Sequence, residues 1–225
     1  MNTLIQDIID DQLSEEHPYF CALQDESFSH ADFVETQIQF YSAVCFFNRP
    51  MAILAAKIPD PKLRSPIIQN IWEEHGEGQV SHQHGQTFLT LLTRLAGITA
   101  NDIAKCPLWP EVDQFNLTLI GVCTMEPPVV AAGTLGIIEH MFSDISVRIG
   151  QGIINREWLP EDKLTHYQRH AVVDQRHAED LLAVLRPHWP DRAPDITRGL
   201  RLGAHAFSAL YRGLYHARGR RWRAP

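Results

Sequence analysis

The octapeptide His170-Ala-Val-Val-Asp174-Gln-Arg-His177 constrains this chain more than any other stretch. It lies in the run 165–187, which carries no proline before its last residue and is therefore free to be helical. At 100° per residue, Asp174 projects about 40° and His177 about 20° from His170. Two imidazoles and a carboxylate thus share one narrow stripe, and Tyr167 and Leu181 on or beside it mark the stripe as inward-facing. Charged and semi-polar groups on a buried stripe are costly unless they are paired or bound to a cation. A fold that accepts this helix must bring compensating groups to it, and a metal is the most economical compensation.

The rest of the chain offers helices to do so. Residues 1–15 carry Ile5, Ile8, Ile9 and Leu13 at helical spacing, and 17–29 reads as a connection. Ser29 with Asp32 three residues on resembles a helix N-cap, opening a periodic run to about 48 through Phe33, Ile38, Phe40, Tyr41, Val44 and Phe47. Pro50, Pro59 and Pro61 isolate a short segment, 51–58, and start a helix that ends at Glu74. A polar, glycine-bearing stretch, 75–84, separates it from the apolar pattern at 88–95. The stretch 101–110 reads as a linker with one helical turn, and 111–125 as a helix closed by Pro127 and Pro128. The most apolar run, 129–154, has Ala131, Ala132, Gly133 and Gly136 to allow close helix contact, and a last helix spans 196–215. No segment alternates with period two. The expectation is an all-α, single-domain helical bundle of about seven or eight helices over residues 1–225. At 225 residues with 44% apolar content, one large core is affordable.

Several function classes are disfavoured. A net charge of -7 argues against nonspecific nucleic-acid binding, and the one basic cluster, in the tail 218–225, reads as frayed and solvated. No apolar run approaches the roughly 20 residues of a membrane span, and the acidic N-terminus does not resemble a secretory signal. Cys21, Cys45, Cys106 and Cys123 are scattered without a CxxC pair, as expected of reduced thiols in a cytoplasmic protein.

Other helices carry polar groups unusual for a bundle interior. In Glu73-Glu74-His75-Gly76-Glu77-Gly78 with His82 and His84 following, an undistorted helix puts Glu73 and Glu77 within about 20° of His84 and Glu74 about 80° away. Gly76 and Gly78 argue against an undistorted helix, so geometry leaves the three glutamates open. Glu139 is a carboxylate inside the most apolar helix, and Glu35 and Gln39 are i, i+4 neighbours in the run to 48. Carboxylates and imidazoles drawn from four helices, one bearing HxxxDxxH, form the donor set expected of a carboxylate-bridged pair of iron or manganese ions. Structural zinc would use thiolates, and calcium oxygen-rich loops.

These residues resemble the heme-oxygenase-like diiron oxidases and oxygenases, which share their fold with thiaminase II and pyrroloquinoline-quinone synthase. The resemblance runs from about Phe33 to Tyr215 and rests on motifs in order: Phe47-x-Arg-Pro-Met51, Asn70-Ile-Trp-Glu-Glu-His-Gly-Glu-Gly with His84 ten residues after Glu74, Gly133-x-x-Gly-x-x-Glu139, and His170-x3-Asp174-x2-His177. It implies Glu74, His84, Glu139, His170, Asp174 and His177 as metal ligands, Glu74 requiring a distorted turn. It also expects a carboxylate from the first core helix. Gln39 falls nearest that register, with Glu35 one turn earlier as the candidate. The resemblance further implies two iron ions per chain, with manganese as the substitute, and partners comprising O2, a small organic substrate such as an amino, fatty or aromatic acid, an external reductant, and a second copy in a homodimer. The alternatives are a metal-independent enzyme of the thiaminase-like or pyrroloquinoline-quinone-synthase-like kind, or a non-enzymatic helical ligand-binding protein.

Overall fold

The computed structural model describes residues 1–14 and 16–220. These contain eleven α-helices and no strand: α1 (Asn2–Gln12), α2 (Pro18–Gln24), α3 (His30–Phe46), α4 (Asn48–Lys57), α5 (Pro61–Glu74), α6 (His84–Ala96), α7 (Ala100–Lys105), α8 (Pro110–Met125), α9 (Pro128–Asn155), α10 (Thr165–Ala183) and α11 (Ala193–Ala217). The all-α expectation holds, but the helix number exceeds the seven or eight expected. The connection at 17–29 contains α2, started by Pro18 and pinned by buried Tyr19, Phe20, Ala22 and Leu23. The linker at 101–110 contains α7, which a reciprocal Thr99–Asp102 capping box stabilises. Seven- and six-residue helices are too short for a periodic signal, so local capping and burial decide them.

The Ser29 hydroxyl accepts a bond from the Asp32 amide at 3.1 Å, so α3 starts where its N-cap pairing indicates. At the far end of α4, the Lys57 ammonium donates to the carbonyls of Cys123 (2.9 Å), Thr124 (3.2 Å) and Glu126 (2.6 Å). It thereby satisfies the last turn of α8 and ties the two helices together.

The bundle is organised around α9, which is buried almost throughout from Val129 to Ile153 and packs on α10 and α11. Its glycines permit this: a Cβ on Gly136 would meet Leu182 at 3.0 Å in α10, and one on Gly133 would meet the Leu200 nitrogen at 3.3 Å in α11. Helix α11 answers with glycines of its own, since a Cβ on Gly199 would lie 2.4 Å from the Val130 carbonyl oxygen. The Thr134 hydroxyl donates across this crossing to the Gly199 carbonyl at 3.0 Å.

His17, before α2, is fully buried and donates from Nε2 to the Ser208 carbonyl at 3.3 Å. Burial, aided by the positive charges of Arg212 and Arg148, lowers its pKa from 6.5 to about 4 against the opposing pull of that carbonyl. The folded state therefore holds the neutral ring while the unfolded chain takes up a proton at its ordinary pKa. Stability is expected to fall as pH drops from 6.5 to about 4 and to be insensitive to this group outside that window. Urea midpoints across that range should show a shallower decline for His17→Gln than for the parent protein, and equal slopes would refute the assignment.

Part of the basic tail is anchored. Arg218 donates to the Tyr215 carbonyl at 2.7 Å, and Arg220 pairs with Glu111 at 3.0 Å, which corrects the frayed reading for 218–220. Arg221, Trp222 and Arg223 lie outside the described residues. No helix among those described is long and apolar enough to cross a membrane, and all four cysteines are free thiols.

Candidate metal centre

Three pieces of chain deliver the polar interior. Helix α10 buries His166, Tyr167, His170, Asp174, His177 and Leu181 on one face, as the 3.6-residue period requires. Glu139 comes from the middle of α9 and is 5% exposed. Glu74 and His84 come from two separate helices. Helix α5 stops at Glu74, and Gly76 (φ 73°), Glu77 (φ 53°) and Gly78 (φ 85°) follow in left-handed conformation, folding the chain back so that α6 opens at His84. Glycine supplies two of these three φ values without Cβ strain. Wheel angles computed across this turn therefore do not apply. Glu77, His75 and His82 are exposed, whereas Glu74 is buried.

A common pattern links the four imidazoles. Nδ1 of His84 bonds Glu74, Nδ1 of His170 bonds Asp174 at 2.8 Å, Nδ1 of His166 meets the Thr87 hydroxyl at 3.0 Å, and Nε2 of His177 meets Glu73 at 3.1 Å. Each ring thus has one nitrogen held by an oxygen, the arrangement that orients metal-binding histidines. The rings of His84 and His170 stack at 3.9 Å, and that of His166 lies 4.5 Å from His170. Two donor groups result, His84–His166–His170 and Glu139–Asp174–His177, with the donor atoms of each within 4.8 Å of one another. His177 Nδ1 lies 3.9 Å from both a Glu139 and an Asp174 oxygen.

Four buried atoms here have no hydrogen-bond partner: His84 Nε2, His166 Nε2, Asp174 Oδ2 and His177 Nδ1. Each such atom costs free energy on the order of 1–3 kcal/mol unless something binds it. Two divalent cations would engage all four, and nitrogen with carboxylate oxygen is the donor chemistry suited to iron or manganese. The residues therefore fit the metal pair that the family resemblance implies.

Electrostatics agree. Burial raises the Glu139 carboxyl well above its ordinary range, reinforced by the negative charges of Asp174 and Glu74. Asp174 is raised by burial and by Glu74, against the pull of His84. Burial would also raise Glu74, but the charge and hydrogen bond of His84 overcome it and hold Glu74 at about 2. The same pairing raises His84 against its own desolvation. Burial and positive neighbours, His84 among them, lower His166 and His170 well below the usual histidine value.

Of the residues singled out in the sequence, the structure gathers Glu74, His84, Glu139, His170, Asp174 and His177. Glu35 is not among them. It belongs to neither donor group, and its charge instead acts, second to burial, on the Cys106 thiol. Gln39 is likewise occupied elsewhere, accepting from the Trp109 amide at 2.8 Å and donating to the Pro107 carbonyl at 3.2 Å. The reason is rotational. Phe40, Ala43, Val44 and Phe47 form the α3 stripe facing His84 and Glu139, and Glu35 and Gln39 lie about 130° and 90° round the wheel from its centre. Two participants were missed. His166 lies one turn before His170, a spacing that could have found it, and Thr87 has no sequence signal. Of the three glutamates left open, Glu74 pairs with His84, Glu73 with His177, and Glu77 is exposed.

A narrow apolar chamber with a cavity volume of about 30 Å³ adjoins His84 and Glu139, walled by Phe40, Phe47, Phe115, Phe142, Phe207, Val44 and Ile138. On the other side of His84, a polar recess is lined by Tyr41, Asn48, Arg49, Gln83 and Gln86.

Comparison with solved structures gives the same fold. A domain of unknown function with a heme-oxygenase-like fold from Shewanella denitrificans superposes with a TM-score of 0.78 at 15% identity, covering 96% of this chain and 90% of that one. A TenA homologue from P. horikoshii gives 0.72 at 12% identity with 96% and 94% covered. A CADD-like protein of unknown function from Nostoc punctiforme gives 0.73 at 16% identity, with 96% of each chain covered. At such identities the likeness shows the fold alone. No curated protein matches the sequence. Residues 34–212, which include every histidine and carboxylate of both donor groups, match the family described as iron-containing redox enzymes, and the chain belongs to that family.

Proposed function

We propose that this protein is a non-heme iron oxidoreductase that holds two metal ions and uses O2 to oxidise a small organic acid. The observation that carries the reading is the set of four unpartnered, buried nitrogen and oxygen atoms converging beside an apolar chamber. Reduced iron, when bound, supplies the electrons that activate O2. The protein's own residues do the rest. His84, His170 and His177 offer nitrogen, and Glu74, Glu139 and Asp174 offer carboxylate oxygen. Glu73, Glu74 and Thr87 fix the imidazole rings from behind. The phenylalanine walls keep the space beside His84 and Glu139 dry and offer an apolar surface to a substrate. Arg49, exposed in the outer recess, places a positive charge where a substrate carboxylate would enter.

A thiaminase-like, metal-independent reaction would need an activated thiol. Burial raises the Cys45 thiol, which borders the recess, and pushes Cys123 up to about 12, so neither is poised as a thiolate.

The test is iron content after anaerobic purification with Fe(II), combined with O2 uptake over a panel of amino, fatty and aromatic acids. About two irons per chain and substrate-dependent O2 uptake are expected, both lost in Asp174→Ala. A fully helical protein that takes up neither iron nor manganese would overturn the proposal.

A further inference from the structure

Resting on that reading of the site, we infer that His166 is itself a metal ligand, so that one cation position is built from three imidazoles, His84, His166 and His170, with no carboxylate from α3. The argument begins at Thr87. Its hydroxyl has one hydrogen, which it donates to the His84 carbonyl at 2.9 Å in the first turn of α6. With that hydrogen on the carbonyl, only lone pairs of the oxygen remain for Nδ1 of His166, 3.0 Å away, and the imidazole donates in that contact. A neutral ring protonated at Nδ1 carries a bare lone pair at Nε2. In His166, Nε2 is buried and has no partner, and the residue is fully enclosed. It belongs to the donor group in which the atoms offered by His84, His166 and His170 lie within 4.8 Å of one another.

The surroundings of His166 are half imidazole. The rings of Phe88 and Tyr167 meet it at steep angles, at 4.7 and 5.2 Å, and two further imidazoles, His170 and His84, lie at 4.5 and 5.2 Å. Three imidazoles crowded in a dry interior repel once any is protonated, and a shared cation removes that conflict. Where α3 and the residue after it face the pocket that His84 shares with Glu139, they present Phe40, Ala43, Val44 and Phe47, and no acid of that helix lines it. Thr87 is then a positioning residue, acting on the metal only through His166.

Co(II), followed by its visible absorption and by metal analysis after dialysis, tests this without reference to turnover. The parent chain should bind two Co(II). His166→Ala, and His166→Phe, which keeps ring volume, should bind one while retaining the parent helical circular dichroism. Thr87→Val should bind one ion normally and the other at least about tenfold more weakly, with Thr87→Ser restoring it. Two Co(II) bound with parent affinity in both His166 variants would overturn the assignment of His166 while leaving the metal centre standing. No Co(II) bound by the parent would overturn both.

Discussion

Anaerobic addition of Fe(II) to the metal-free protein is expected to raise its thermal midpoint by roughly 5–11 °C at a hundredfold excess over the dissociation constant. One site filled to that degree stabilises by about 2.7 kcal/mol, and a domain of this size shifts about 2–4 °C per kcal/mol. A second ion would add a comparable increment. The same experiment has a pH signature. Burial keeps Glu139 and Asp174 protonated well above the ordinary carboxylate range, and pairing with Glu74 keeps a proton on His84. A cation must displace these protons, so binding releases acid and the gain in midpoint shrinks as pH falls. Glu139→Gln mimics the protonated acid. It should leave the metal-free protein at least as stable as the parent and reduce the gain on adding Fe(II). Calorimetry in buffers of different ionisation enthalpy reads the proton release directly, and proton uptake on binding would contradict the scheme.

The second large effect concerns the frame. Gly203→Ala is expected to cost about 1–3 kcal/mol of unfolding free energy, lowering the midpoint by several degrees. The new Cβ would lie 2.3 Å from the Thr134 carbonyl oxygen and 2.7 Å from Ile137 Cγ2, and backbone cannot step aside as a side chain can. That loss is net of the roughly 1 kcal/mol by which alanine favours a helix over glycine. Gly121→Ala in α8, where nothing lies within 4 Å of the new atom, should show that favourable term alone and raise stability by about 0.5–1 kcal/mol. If both substitutions move the denaturation midpoint in the same direction, the close α9–α11 crossing is not what limits stability.

Long helices were legible because burial imposes a period on them: α9, α10 and α11 lie within a few residues of where their apolar patterns place them. The α10 stripe was legible for the same reason, since one helix sets its own angular relations. The relation between Glu74 and His84 was not. It depends on three consecutive left-handed residues, and a wheel drawn across them describes a helix that does not exist. Glu35 shows a different limit. An acid on a mostly apolar helix has two inward directions available in a layered bundle, and only the packing of α3 against the 106–109 segment reveals which one it takes. Thr87 was invisible because a hydroxyl one turn into a helix carries no pattern at all. Its role exists only where α6 meets α10.

The inner chamber has a further property. Apart from His84 and Glu139, its walls are phenylalanine, valine, alanine and isoleucine, with no tyrosine, tryptophan, methionine or cysteine among them. Cysteine and methionine are side chains that oxidation converts most directly into polar groups. If the proposed oxidation takes place beside this chamber, its aromatic and aliphatic walls hold no thiol or thioether to be consumed by it.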